Sequence, residues 1–141
     1  LVLILFLLPS YAFTQYLDRG GNLVSETWDR EIHLTSNAVI GDNVIITILP
    51  GVTVKAYPGV TLSINGTGVL LANGSEDGMI TFTAFDNISW GRMLFNNNNA
   101  NTDSELSYCI IEKGNGQGLS PSYGGGLYIN SSKLIISHCE I

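Results

Sequence analysis

Residues 44–84 read VIITILPGVTVKAYPGVTLSINGTGVLLANGSEDGMITFTA, a series of short apolar segments that end at Gly, Pro or Asn. The stretch nearly repeats itself, because Pro50-Gly51-Val52-Thr53 returns as Pro58-Gly59-Val60-Thr61. Every second residue of each segment is apolar, which predicts β-strands with one buried and one solvent-exposed face. Each strand is too short to bury a core by itself, so we expect copies of one unit to stack as a solenoid.

The strand pattern continues beyond residue 84. We predict that one recurring strand begins near Val44, Val60, Met79, Leu106 and Leu134. A second strand of each coil is predicted near Val52, Val69, Met93 and Leu127. The coils lengthen only in loops, and Asn96–Asn99 are predicted to form a turn or a polar ladder at a coil corner. No segment has helical periodicity, so the predicted fold class is all-β.

The best internal match joins LSYCIIE at residues 106–112 to ISHCEI at residues 136–141. Strand alternation would place one set of side chains on a single inward face: Ser107, Cys109 and Ile111, with Ser137, Cys139 and Ile141 over them. Cys109 and Cys139 are therefore predicted to stack in the core. A free thiol pair and a disulfide both stay open, because the Cα spacing suits a bridge whereas parallel side chains suit its dihedral angle poorly. Two thiols alone do not complete a zinc site.

These motifs resemble those of a known class of repeat protein. The two Cys-containing strands, the Pro-Gly-Val-Thr turns, Ser89-Trp90-Gly91 and YGGGLYI at 123–129 are similar to bacterial right-handed parallel β-helix proteins with the pectin-lyase-like fold. The resemblance covers Gly21 to the end of the chain and implies a right-handed parallel β-helix with an N-terminal cap. It does not specify an activity, because such coils occur in lyases, hydrolases, adhesins and inert spacers.

The chain divides into three predicted regions. Residues 1–12 contain the apolar run LVLILFLL and are predicted to be a signal peptide cleaved after Ala12, since so short a run cannot span a bilayer. Residues 13–43 are expected to form a linker and N-terminal cap, with Trp28 as a lid or, alternatively, as a sugar-stacking ring. Residues 44–141 are expected to be β-helix coils, truncated at the C-terminus. The mature protein would be secreted or at the cell surface, without a transmembrane span.

Charge and composition narrow the function classes. The formal net charge of −6 argues against nucleic acid as a partner. A polysaccharide or cell-surface glycan is the partner expected from the resemblance. The resemblance implies that an enzyme would need a calcium-binding carboxylate cluster or paired acids, and none of the sequence signatures of the pectin hydrolases is present. One outward-facing charged cluster is predicted from Glu112, Lys113, His138 and Glu140, with Arg92 and Asp86 nearby. A solvated surface is the alternative interpretation of these residues.

We therefore expect an exported, non-catalytic β-helix protein for cell-surface attachment or carbohydrate contact. No catalytic residue, metal site or cofactor is predicted. The alternative is a polysaccharide lyase or glycoside hydrolase whose catalytic coils lie beyond residue 141, so enzyme activity of the full protein stays open.

Overall fold

A computed structural model describes residues 15–96, 103–119, 124–130 and 132–141, and the predicted signal peptide lies outside these ranges. The predicted all-β class is confirmed, since the described residues form β-strands and a short 3-10 turn at Phe85–Asn87. The strands are β1 (Tyr16–Asn22), β2 (Glu26–Trp28), β3 (Glu31–Ile40), β4 (Ile45–Ile48), β5 (Thr53–Ala56), β6 (Thr61–Asn65), β7 (Val69–Asn73), β8 (Ile80–Ala84), β9 (Arg92–Asn96), β10 (Ser104–Ser107), β11 (Cys109–Ile111), β12 (Leu127–Ile129) and β13 (Leu134–Ser137).

Every pairing between these strands is parallel, and the strands stack in three columns. The first column contains the first halves of β1 and β3, followed by β5, β8 and β11. The second contains the second halves of β1 and β3, followed by β6, β9 and β12. The third contains β2, β4, β7, β10 and β13. The chain visits the columns in turn, so the parallel strands form a nearly closed sheet that is compatible with a solenoid.

The core lies between the columns and is built from inward residues in register. In the first column Ile32 pairs with Val54, Val54 with Phe82, and Phe82 with Ile111, and all four side chains are buried. Burying one such side chain contributes about 1.5–3 kcal/mol relative to leaving it exposed. Because strands in a sheet are only about 4.8 Å apart, each side chain contacts the equivalent one in the next coil.

The predicted number of strands per coil was wrong, and so was the assignment of strands to one recurring position. Val44, Val60 and Met79 precede β4, β6 and β8, which belong to three different columns rather than to one recurring position. The prediction allowed two strands per coil, whereas the structure has three. The local matches near the end of the chain are nevertheless confirmed, because Leu127 pairs with Met93 and Ile136 with Leu106.

A one-residue corner leads from the third column to the first after β10 and again after β13. Leu106 and Cys109 both point inward, although they are three residues apart, because Tyr108 adopts a left-handed conformation with φ 49°. His138 repeats this corner one coil later with φ 52°. Ser107 consequently turns away from the core and donates a hydrogen bond to Asn73. Its predicted place on the inward face of Cys109 was wrong, because simple alternation does not continue through the corner.

Residues 13–43, assigned to a linker and cap, contain β1 to β3, which already pair within the three columns. The Trp28 ring is fully buried, and its indole N–H donates to Glu26 Oε1 at 2.7 Å. The Arg19 guanidinium donates hydrogen bonds to both oxygens of the same carboxylate. These Arg19 hydrogen bonds lower the pKa of Glu26 more than its partial burial raises it. A ring this deeply buried closes the core and cannot stack on a sugar at the surface.

Asparagines line the corner between the second and third columns. Asn65 pairs with Asn96, and Asn130 Nδ2 donates to Asn96 Oδ1 at 3.0 Å. The predicted polar ladder is therefore present at Asn96, while Asn97–Asn99 lie outside the described residues. Such side-chain amides satisfy one another where the chain turns.

Candidate functional site

The outer face of the first column carries a groove with a volume of about 340 Å³. It lies where β5, β8 and the segment after β11 run side by side. This volume is at the lower end of the range that small-molecule sites occupy. The lining residues are Lys55, Thr83, Ala84, Phe85, Asp86, Asn87, Glu112 and Lys113.

The turn after β8 forms one side of the groove. Asp86 and Asn87 have φ values of 53° and 58°, a left-handed conformation that Asp and Asn tolerate better than most residues. The turn holds Phe85 beside Tyr57, with ring centroids 4.6 Å apart, and in a T-shaped contact with His33, with centroids 4.9 Å apart. Phe85 is therefore a half-buried ring that is fixed from behind and open toward the groove.

Lys55 is anchored by a polar network on the coil below. Its Nζ donates to Glu31 Oε2 at 2.9 Å, and the other oxygen of Glu31 lies 2.6 Å from His33 Nε2. His33 pairs with Lys55 in the strand register and stacks on Tyr16. Partial burial acts to raise the pKa of Glu31, but hydrogen bonds to His33 and Lys55 outweigh it and lower the pKa. Glu31 thus stays ionised and fixes the Lys55 ammonium group.

The opposite side of the groove is formed by Glu112 and Lys113. Thr83 Oγ1 donates to Glu112 Oε1 at 2.7 Å, which ties this carboxylate to β8. Lys113 Nζ donates to Asn87 Oδ1 at 2.9 Å and lies 3.8 Å from Glu112 Oε1. The groove therefore contains carboxylates, ammonium groups and an amide next to one aromatic ring.

The structure places two of the four residues of the predicted charged cluster in the groove. Glu112 and Lys113 line the groove, and Asp86 lies there with them. His138 lies at the corner between the third and first columns, where its ring stacks on Tyr108 at 4.5 Å. Glu140 pairs with Ile110 on the next strand. A functional role for these four residues stays a prediction.

Arg92 belongs to a different part of the molecule. It begins β9 in the second column, is almost fully buried and packs its guanidinium over the Tyr128 ring, 4.9 Å from the centroid. The Arg92 side chain therefore contacts the second column, whereas Glu112 and Lys113 line the groove of the first.

Sequence reasoning missed Lys55, Thr83, Phe85 and Asn87. Lys55 and Thr83 occupy outward positions of adjacent strands, but their pairing depends on a coil register that the repeat pattern alone did not give. Phe85-Asp86-Asn87 follows an alternating strand directly, and this break in the pattern was a usable signal for a functional turn.

The two cysteines stack as predicted and are free thiols. Each Sγ donates to a carbonyl of the coil below, Cys109 to Ala72 and Cys139 to Leu106, both at 3.4 Å. Burial, reinforced by the neighbouring Cys139, raises the pKa of Cys109 to about 12. Cys109 is therefore a core residue with little thiolate character.

Within the described ranges, no three His, Cys, Asp or Glu side chains are grouped so that they could hold a metal ion. The same residues include no helix with the length and apolarity needed to cross a bilayer. Comparisons with protein-family models, with curated proteins and with solved structures found no match to this chain.

Proposed function

We propose that the chain is part of an exported right-handed parallel β-helix of the pectin-lyase-like class, and that it attaches to a cell-surface glycan without cleaving it. The parallel columns and the resemblance of the Cys-containing strands support this fold. The apolar run at residues 1–12 supports export. Attachment would occur through the groove of the first column.

The groove is the observation that carries this proposal. Its Phe85 ring offers an apolar surface for the C–H face of a sugar, and Asn87, Glu112 and Lys113 offer hydrogen bonds around it. An apolar surface with a few convergent polar groups is the usual composition of a small-molecule site. Because the side chains are held by Tyr57, Thr83 and Glu31, little ordering would be required on binding.

The test is retention of the purified chain on insoluble polysaccharides, combined with assays for reducing ends and unsaturated products. We expect binding to at least one polysaccharide and an affinity loss of about tenfold in Phe85→Ala, which corresponds to about 1.4 kcal/mol. Tyr108→Ala is the matched control, since it removes an aromatic ring at a corner outside the groove.

Two results would overturn the proposal. One is the absence of binding to any polysaccharide. The other is product release that disappears in Lys113→Ala or Glu140→Gln, because such turnover would make the protein an enzyme rather than an attachment module.

A further inference from the structure

The charges of the groove define which glycan it fits, and this inference rests on the proposed glycan binding. We infer that the ligand is an uncharged saccharide rather than a polyuronate or another anionic glycan. Three observations carry the inference: the pairing of the two ammonium groups, the mixture of donors and acceptors, and the position of the aromatic ring.

Both ammonium groups in the groove already have partners. Lys55 is bound to Glu31 at 2.9 Å, and Lys113 to Asn87 at 2.9 Å with Glu112 at 3.8 Å. An anionic sugar would have to compete with these oxygens for each lysine. An anionic sugar would also face the carboxylates of Asp86 and Glu112. Because these two carboxylates equal the two lysines in number, the residues that line the groove carry no net positive charge. The whole chain adds further repulsion, since its formal net charge is −6.

An uncharged sugar avoids this repulsion. Every sugar hydroxyl can donate one hydrogen bond and accept others, so it can bind a carboxylate and an ammonium or amide group at the same time. Glu112 and Lys113 form such an acceptor–donor pair on one side of the groove, and Asn87 supplies an amide beside them. Hydrogen bonds to charged groups are stronger than those between neutral groups, so the paired charges still contribute to binding a neutral ligand.

Phe85 supplies the remaining contact. Its ring is supported by Tyr57 and His33, and the left-handed Asp86 and Asn87 place the polar edge of the groove directly after it. A pyranose that packs its C–H face on the ring would therefore present its equatorial hydroxyls to the polar groups. An anionic substituent gains nothing from this apolar contact.

The experiment compares soluble neutral polysaccharides (β-glucan, xylan and mannan) with polygalacturonate and alginate, using the full chain and isothermal titration calorimetry. We expect binding to a neutral polysaccharide, with an affinity that changes less than about twofold when ionic strength rises about tenfold, because no net charge is neutralised. Binding to the two polyuronates should be weaker by at least about tenfold.

Glu112→Gln distinguishes the two kinds of ligand by the direction of its effect. For a neutral sugar it should lower affinity about three- to tenfold, since an amide oxygen is a weaker acceptor than a carboxylate. For an anionic glycan it should raise affinity, since it removes a repelling charge. Glu105→Gln is the matched control, because Glu105 is an outward carboxylate of the third column.

Tighter binding to a polyuronate, abolished by salt and strengthened by Glu112→Gln, would overturn this inference and leave glycan attachment intact. Binding to neither group of glycans would overturn both. Thermal unfolding of each variant, compared with the parent chain, shows whether a lost affinity comes from the groove or from the fold.

Discussion

The two ends of the stacked strands differ in how the apolar interior is covered. At the N-terminal end Trp28 has 0% exposure, and Arg19 and Glu26 form a charged pair beside it. At the other end Ile136, an inward residue of β13, is 40% exposed, and Ile141, which follows the last strand, is 66% exposed. Ile136 pairs with Leu106, which has 0% exposure one coil below.

This difference teaches that an inward side chain of an outer strand is fully buried only where other groups cover it, as they do at Trp28 but not at Ile136. Leu106 and Ile136 have similar apolar side chains and the same position in the register, but only Leu106 is covered from both directions. Stability in such a stack is a sum of neighbour contacts, so equivalent substitutions should have unequal costs along the chain. The following predictions test that gradient.

Trp28→Ala should produce the largest loss. Removing a fully buried indole leaves a cavity at the closed end and should lower the free energy of unfolding by about 3–5 kcal/mol. Urea denaturation followed by circular dichroism measures this change. Ile141→Ala, at the exposed end, should cost less than about 1 kcal/mol. Similar losses for the two variants would contradict the comparison of the ends.

Leu106→Ala and Ile136→Ala form a matched pair at one register position. Leu106→Ala should cost about 2–5 kcal/mol, because it empties a site enclosed on both sides. Ile136→Ala should cost about 1 kcal/mol, because much of its side chain already contacts solvent. Equal midpoint shifts in the same denaturant series would show that the outer coil contributes as much as the inner ones.

The two thiols should differ in alkylation rate. Burial raises the pKa of Cys109 to about 12, so this thiol is both inaccessible and almost entirely protonated at about pH 8. Cys139 is partly exposed, so iodoacetamide should modify it first. Peptide mapping by mass spectrometry reports the order. Modification of both cysteines at one rate in the native protein would contradict the predicted protection of the inner coil.

Acidic pH should destabilise the N-terminal end of the stack, where Arg19 pairs with Glu26, by less than the core substitutions above. The Arg19 hydrogen bonds lower the pKa of Glu26 below its ordinary value of 4.5, so this pair stabilises the fold above that pH. The contribution is lost as pH falls through the lowered folded-state pKa. The midpoint temperature of thermal unfolding should therefore fall less steeply from neutral to acidic pH in Glu26→Gln than in the parent chain. An unchanged slope would show that the pair contributes nothing to pH dependence.

Sequence reasoning predicted the all-β class, the stacked cysteines and the strand register near the end of the chain, because these depend on local alternation and direct repeats. It failed at Tyr108 and His138, where a bulky residue in a left-handed conformation bends the chain without the usual Gly or Asn signal. The sequence prediction recognised neither this corner nor the division of β3 between two columns. It therefore gave two strands per coil instead of three.

The groove was predicted only in part for the same reason. Glu112 and Lys113 are adjacent in sequence, so their proximity needed no register. Lys55, Thr83 and Asn87 come from earlier coils, and only the correct vertical alignment of β5 with β8 brings them to the same place. A site assembled across coils cannot be read from the repeat until the number of strands per coil is known.

The single-residue corners at Tyr108 and His138 also affect how such a protein can change over evolution. The corner between the third and first columns admits only one residue in these two coils, whereas the connection from β9 to β10 is longer than the equivalent one from β6 to β7. The connection from β11 to β12 is longer still, although β11 and β12 keep their parallel pairing with β8 and β9. New recognition loops could therefore be acquired in the connections without altering the strands that carry the groove.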